Sequence, residues 1–254
     1  MLHINSPEVL LVPVEDCREP LTSLVGLSRL RFRAPLSWRN TSRESVRLLA
    51  RTAVKERLSA ALNALPSGTA LELACGFRPI EHQRRKFEAS LNRCLRDDPS
   101  LTTSEARALT ARYVADPDLF APHATGGALD VALVDRRGHY LDVGDRSPGP
   151  GARMDAEGLT CEQRDNRAAL AGAMTAAGFV NYPLEWWHWS YGERFWGCIS
   201  GRVAIYDTTE LREGRGSTWL RTVHWLFHRY AYRMRRPRSL AGREGATATR
   251  PWTG

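Results

Sequence analysis

The alternation of apolar and polar residues predicts two central strands. These are "TALELACGFRP" (69–79) and "GGALDVALVD" (126–135). In the second, Leu129, Val131 and Leu133 share one face, and Asp130 lies on the other. Short apolar runs predict further strands at Val9–Val14 and in "CISGRVAIYD", while "FVNYPLEWWHWSYG" reads as a strand followed by a loop.

Apolar residues spaced three and four apart predict an amphipathic helix over 43–65, which ends at Pro66-Ser67-Gly68. Two more helices are predicted over 81–95 and 103–114, the latter with Thr103 and Ser104 available as caps. Thr160 and Gln163 have capping-box spacing before a helix to about residue 177, and residues 136–159 form a long loop. Because strands and helices alternate at irregular distances, the fold class is α+β.

Composition places the chain among ordinary globular proteins. Its 254 residues are 43% hydrophobic and 25% charged. Neither a signal peptide nor a long apolar span is readable, so we expect a cytoplasmic protein. The five cysteines are scattered without a C-x-x-C pair, which predicts free, mostly buried thiols and no thiolate zinc site. Any metal would then be held by imidazole and carboxylate groups.

The net charge of +8 is concentrated at the end of the chain. Ten arginines and three glutamates lie between 210 and 254 and account for seven of these charges. We therefore divide the chain into a main domain, 1–209, and a basic extension, 210–254, and expect no nucleic-acid partner. Residues 219–236 predict a basic amphipathic helix, which would pack on the body or lie on an anionic membrane surface. The oligomeric state is open.

Three segments carry the candidate chemistry: "GFRP" (76–79), "HATGGALD" (123–130) and "EWWH" (185–188). The motifs of HExxH zinc proteases, elbow-type serine hydrolases, P-loop NTPases and zinc deaminases are absent from the sequence. His123, Asp130 and His188 supply two imidazoles and a carboxylate, a ligand set that leaves a zinc position open for water. Glu185 lies near the third ligand, where a general base is needed. Taken singly, each residue could equally satisfy local hydrogen bonds, and the tryptophans could simply fill the core.

Taken together, "GFRPIEHQ", "HATGGALD" and "FVNYPLEWWHWSYG" resemble the zinc D-alanyl-D-alanine dipeptidases of the VanX type. The likeness covers most of residues 45–206. It implies a single α+β zinc-peptidase domain, with a central antiparallel sheet flanked by helices, as in the related zinc D,D-carboxypeptidases. The implied substrate is the free dipeptide D-Ala-D-Ala, which is cleaved to two D-alanines.

The resemblance also assigns roles to five residues. His123, Asp130 and His188 would bind one zinc ion per chain. Glu185 would take a proton from the activated water and pass it to the leaving amine. Arg78 would stabilise the oxyanion, an effect of about 3–4 kcal/mol in a dry site.

Four positions depart from the family pattern. Phe77 and Ala121 lack the hydroxyls of the family tyrosine and serine, Thr125 stands in place of an arginine, and "VGDRSPG" (143–149) lacks a Phe-Asp pair. These changes leave the choice of dipeptide open. Two alternatives also stay open: a zinc D,D-carboxypeptidase acting on peptidoglycan stem peptides, and a catalytically silent homologue that binds a partner through its basic extension.

Overall fold

The computed structural model describes residues 2–32 and 46–211. The strands are β1 (Leu21–Ser23), β2 (Leu30–Phe32), β3 (Leu49–Arg51), β4 (Thr69–Cys75), β5 (Ala128–Asp135), β6 (Val180–Asn181) and β7 (His188–Ser190). The helices are α1 (Pro7–Leu10), α2 (Thr52–Ala64), α3 (Ile80–Asp97), α4 (Thr103–Thr110), α5 (Cys161–Ala176) and α6 (Arg194–Ser200). Short 3₁₀ helices occupy Val46–Leu48, Pro122–Thr125 and Pro150–Ala152.

Five strands form the central sheet, in the order β2-β4-β5-β7-β6. All neighbouring pairs are antiparallel except β2 and β4, which run parallel at one edge. A separate two-stranded sheet joins β1 to β3. The predicted α+β class is confirmed, and the sheet is antiparallel apart from this edge strand.

The register of the sheet places three polar residues side by side. On β5, Asp130 is opposite Cys75 of β4 and opposite His188 of β7. The β4–β5 ladder shifts by one residue between Leu73 and Cys75, which forms a β-bulge at Ala74. A single row across three strands therefore carries Cys75, Asp130 and His188.

The other face of β5 builds the main core. Leu129, Val131 and Leu133 are at most 1% exposed and belong to one cluster with residues of α2 and α5. Helix α2 contributes Leu58, and α5 contributes Leu170. Each fully buried side chain of this kind stabilises the fold by about 1.5–3 kcal/mol. The site thus rests on a rigid sheet that two packed helices support.

Several helix predictions are confirmed in type but not at their ends. Helix α5 begins with the predicted Thr160–Gln163 capping box. Helix α4 is capped by Thr102 rather than by Thr103 or Ser104, and it ends at Thr110. The helix predicted over 43–65 begins only at Thr52, because residues 49–51 pair with β1 as strand β3.

Two strand predictions were wrong. In the run Val9–Val14, the first two residues end the short helix α1, whose first turn begins with Pro7, and Val9 packs with Phe195. In the run 198–207, the first three residues end helix α6, and Ala204 forms only an isolated bridge with Val14. The helix predicted over 219–236 and nearly all of the basic extension lie outside the described residues. Among the helices that are described, none is long and apolar enough to cross a membrane.

Candidate active site

A tight turn before β5 directs His123 towards the site. Thr125 closes the 3₁₀ helix, because its Oγ1 donates to Pro122 O at 2.7 Å and accepts from Gly127 N at 2.9 Å. Gly126 then adopts a left-handed φ of +75°. His123 is buried, and its Nδ1 lies 2.8 Å from Gly76 O. Because a carbonyl only accepts hydrogen bonds, Nδ1 carries a hydrogen, and Nε2, which faces Asp130, is the nitrogen that would bind a metal.

Asp130 lies between the two histidines. Its Oδ2 is 3.2 Å from His123 Nε2, and its Oδ1 is 3.0 Å from His188 Nδ1. The two imidazole rings meet at an angle of 84°, with centroids 4.9 Å apart. Ligand atoms of one tetrahedral zinc, at about 2.0–2.1 Å from the metal, are about 3.3 Å from one another. The donor types of these three residues suit a zinc ion, and Asp130 shares one group of potential metal ligands with each histidine, with Cys75 and His123 in the first and with Glu185 and His188 in the second.

The charges of this trio are strongly coupled. Although burial opposes ionisation of each group, the mutual attraction holds the pKa of Asp130 well below its usual range and raises that of His123 to about 10. A metal would replace the proton that His123 holds at neutral pH, because a metal ligand must be deprotonated. Asp130 is already ionised and ready to bind.

Glu185 lies beside the trio in a closed turn. Its backbone N–H donates to Tyr182 O at 2.9 Å, and its carbonyl accepts from His188 N at 3.0 Å. Candidate ligand atoms of Glu185, Asp130 and His188 all lie within 4.8 Å of one another. Burial first, and the Asp130 charge second among the raising effects, raise the pKa of Glu185. A carboxylate with a raised pKa is a better proton acceptor near neutral pH.

The tryptophans of this segment pack as well as frame the site. Trp186 and Trp189 are at most 1% exposed. Trp186 Nε1 donates to Asp145 O at 2.7 Å, which ties the Glu185 turn to the loop before α5. The interpretation of the tryptophans as core residues holds for these two, and their rigidity fixes the positions of Glu185 and His188.

Arg78 enters the site from the end of β4. Its backbone N–H donates to His123 O at 3.0 Å, which links the arginine directly to the histidine turn. Its Nη2 lies 3.2 Å from Cys75 Sγ, and its Nη1 lies 2.7 Å from Gln83 Oε1. The structure therefore brings all five predicted site residues into one region.

Cys75 belongs to this region although the sequence interpretation left it out. Burial would raise the pKa of its thiol, but Arg78 and His123 lower it to about 6. Cys75, His123 and Asp130 also form a group of potential metal ligands. All five cysteines lie within the described residues and Cys75 alone is buried, so the prediction of mostly buried thiols was wrong. The bulge at Ala74 turns it towards Asp130, and no local sequence signal shows this.

Ser190 and Glu193 form a second unpredicted feature behind His188. Ser190 Oγ lies 3.4 Å from His188 Nε2. Glu193 is fully buried and accepts from Phe195 N at 2.6 Å, while burial raises its pKa. Such outer hydrogen bonds orient a metal-binding imidazole. Glu193 is recognisable from sequence only as the residue before α6.

Most of the residues that depart from the family pattern serve packing or the local turn. Phe77 is fully buried against Val46 and Leu49, so its ring is a core group. The hydroxyl of Thr125 forms the two hydrogen bonds that close the histidine turn. Ala121 is buried at the start of that turn. The segment 143–149 contacts Trp186 through Asp145 O and so lies behind the Glu185 turn.

Comparison with known proteins identifies the family of this chain. Residues 36–203 match the peptidase M15 family model, described as D-ala-D-ala dipeptidase. The chain belongs to this family. A D-alanyl-D-alanine dipeptidase of Synechocystis is 28% identical over 217 residues, which cover 74% of this chain and 87% of that protein. One of Enterococcus faecium is 35% identical over 86 residues, which cover 30% of this chain and 38% of that protein.

Among solved structures, a mutant of the vancomycin resistance D,D-pentapeptidase VanY in complex with Zn(II) matches with a TM-score of 0.39 and 18% identity. The match covers 61% of this chain and 82% of VanY. The family membership confirms the predicted resemblance and makes this chain a peptidase. Zinc as cofactor is confirmed with it, since the family is zinc-dependent and the site holds groups of potential metal ligands around Asp130. The stoichiometry, the individual residue roles, the domain boundary at 209 and the cytoplasmic location stay predictions.

Proposed function

We propose that this chain is a zinc dipeptidase that hydrolyses a free D,D-dipeptide, most directly D-Ala-D-Ala to two D-alanines. His123, Asp130 and His188 would hold one zinc ion. The observation that carries the proposal is the position of Asp130, with one carboxylate oxygen at 3.0–3.2 Å from each imidazole. Glu185 and Arg78 lie around this trio, as the reaction needs.

When bound, the zinc ion supplies Lewis-acid activation of water and of the scissile carbonyl. Glu185 accepts one proton from the water as its oxygen adds to the carbonyl carbon. The same carboxyl then gives the proton to the amine nitrogen as the C–N bond breaks. Because burial and Asp130 raise the pKa of Glu185, its proton affinity suits both steps.

Arg78 stabilises the negative charge that develops on the carbonyl oxygen. Its guanidinium is buried, and the charges of Cys75, Asp130 and Glu185 offset the effect of burial and raise its pKa, so it stays cationic. A preorganised charge of this kind contributes about 3–4 kcal/mol to a transition state. The presence of ligands, base and arginine together supports an active enzyme over a silent homologue. The small dipeptide is the expected partner, and the cytoplasm is the expected location of the enzyme.

The test is hydrolysis by the full chain of D,D-, L,D- and L,L-dipeptides and of a pentapeptide that ends in D-Ala-D-Ala. We expect D-Ala-D-Ala to be cleaved fastest and a zinc chelator to stop the reaction. Release of D-alanine from the pentapeptide but not from the dipeptide would replace the proposal by a carboxypeptidase.

A Glu185→Gln variant tests the mechanism. It should keep its zinc and lose about 10²–10⁴-fold in kcat, since that is the range of general-base contributions. Glu162→Gln, a change of the same kind at an exposed position of α5, is the matched control and should leave kcat unchanged. Equal turnover of Glu185→Gln and the control would show that Glu185 is not the base.

A further inference from the structure

Arg78 is held in place by two side chains, of which Gln83 is a neutral amide. Its two described side-chain partners are Gln83 Oε1, at 2.7 Å from Nη1, and Cys75 Sγ, at 3.2 Å from Nη2. Within residues 2–32 and 46–211, no carboxylate oxygen forms an ion pair with it. A carboxylate partner would neutralise part of the charge that a developing oxyanion needs, whereas an amide oxygen orients the guanidinium and leaves its charge intact.

Gln83 can present its oxygen in only one direction. It lies one turn into α3 and is 2% exposed. Its Nε2 donates to Ala115 O at 2.7 Å, so the amide is fixed at both ends. Rotation of the amide by 180° would set an NH₂ group against the guanidinium and an oxygen against a carbonyl, and both hydrogen bonds would be lost.

We infer that Gln83 is a positioning residue for catalysis, which fixes the Arg78 guanidinium towards the oxyanion without neutralising it. This inference rests on the proposed function, in which Arg78 acts on the reacting carbonyl. Arg78 is also fixed at its backbone by His123 O, at 3.0 Å. Its side-chain direction therefore depends on Gln83 and Cys75, and Gln83 makes the shorter contact.

The test uses Gln83→Met, which keeps the side-chain length and removes both hydrogen bonds. Complete loss of an oxyanion donor lowers kcat by about 10²–10³-fold, so a misdirected Arg78 should lower it by about 10–100-fold. KM and zinc content should change less than about twofold, because the interaction acts on the transition state alone. The substrate is the dipeptide that the chain cleaves fastest.

A double-mutant cycle separates positioning from a general loss of structure. In an Arg78→Ala background, Gln83→Met should change kcat by less than about twofold, because its effect passes through Arg78. Phe87→Leu, a buried change one turn later on α3, is the matched control and should lower stability while leaving kcat unchanged. Equal kcat losses for Gln83→Met in both backgrounds, or for Phe87→Leu and Gln83→Met, would overturn the inference.

Gln83→Glu gives a second route if the methionine variant does not fold. It keeps an oxygen towards Arg78 but adds a negative charge, so kcat should still fall at least about tenfold with zinc retained. A kcat within about twofold of wild type would overturn the inference. If Arg78→Ala itself left kcat unchanged, the proposed role of Arg78 would fail instead, so the two failures are distinguishable.

Discussion

Arg167 on α5 offers the sharpest test of how the Glu185 turn is held. Its side chain is 2% exposed. Nε donates to Val143 O at 2.7 Å and Nη2 to Gly151 O at 2.9 Å, and Nη1 donates to Arg153 O. Burial lowers its pKa, and no carboxylate among the described residues forms an ion pair with it. One guanidinium therefore supports the loop carbonyls on three sides.

This loop in turn supports the Glu185 turn. Trp186 N donates to Ala152 O at 2.9 Å, and Trp186 Nε1 donates to Asp145 O. Arg167→Met keeps the apolar stem and leaves three carbonyls without their donor. Each unsatisfied buried carbonyl costs about 1–3 kcal/mol, part of which water and relaxation recover. We expect the free energy of unfolding to fall by about 3–5 kcal/mol, or about 10 °C in Tm.

Urea unfolding of the zinc-loaded protein, followed by tryptophan fluorescence, measures this change. Arg164→Met, the same substitution at an exposed position of α5, should stay within about 0.5 kcal/mol of wild type. Arg167→Lys should fall between the two, because an ammonium cannot reach all three carbonyls. A loss below about 1 kcal/mol for Arg167→Met would refute the account of the loop as held by hydrogen bonds.

Three further predictions follow from the site. The pKa of Glu185 is raised above 4.5, so the carboxyl is protonated as the pH falls through that pKa, and kcat should fall with it. A kcat that stayed constant down to pH 4.5 with zinc still bound would contradict this. Because the pKa of His123 is raised to about 10, His123 stabilises the metal-free protein below pH 6.5 and loses this contribution as the pH rises through 10. Zinc binding at about pH 7.5 should then release about one proton, measurable by calorimetry in two buffers of different ionisation enthalpy, and release of none would refute the assignment. Gly126→Ala should lower the unfolding free energy by about 1–3 kcal/mol, because φ is +75° and its Cβ would lie 2.5 Å from Leu21 Cδ2. Gly138→Ala, at φ +89° in open space, isolates the backbone contribution, and an equal loss there would exclude the clash as a cause.

The parts predicted from sequence are those that local patterns determine. The alternation in 126–135 predicted β5 and its core face, and the Thr160–Gln163 pair predicted the start of α5. The strand predicted over 9–14 failed because a short apolar run fits a helix as well as a strand, and Pro7 favours the helix. The motifs that carry the family resemblance selected five residues that the structure brings into one region, and the roles of these residues stay predictions.

Other features of the site depend on tertiary contacts. Gln83 reads as an ordinary helical residue until α3 is placed beside Arg78 and Ala115. Cys75 reads as the end of a strand, and only its pairing with Asp130 places it at the site. Glu193 reads as a helix cap, which it is, while its position behind His188 depends on how β7 leads into α6. No periodicity carries such information.

The extra residue at Ala74 separates the part of β4 that packs in the core from the part that enters the site. Before it, Leu71 and Leu73 stay in step with Leu133 and Val131 and are constrained by packing. After it, the segment 75–78 is shifted by one position relative to β5, and it carries Cys75 and Arg78 into the site. Because side-chain direction alternates along a strand, a ladder that ran on without the bulge would keep these core pairs but place Cys75 opposite Leu129, on the core face, instead of opposite Asp130. A single local irregularity in the strand thus separates the residues that hold the fold from those that line the site.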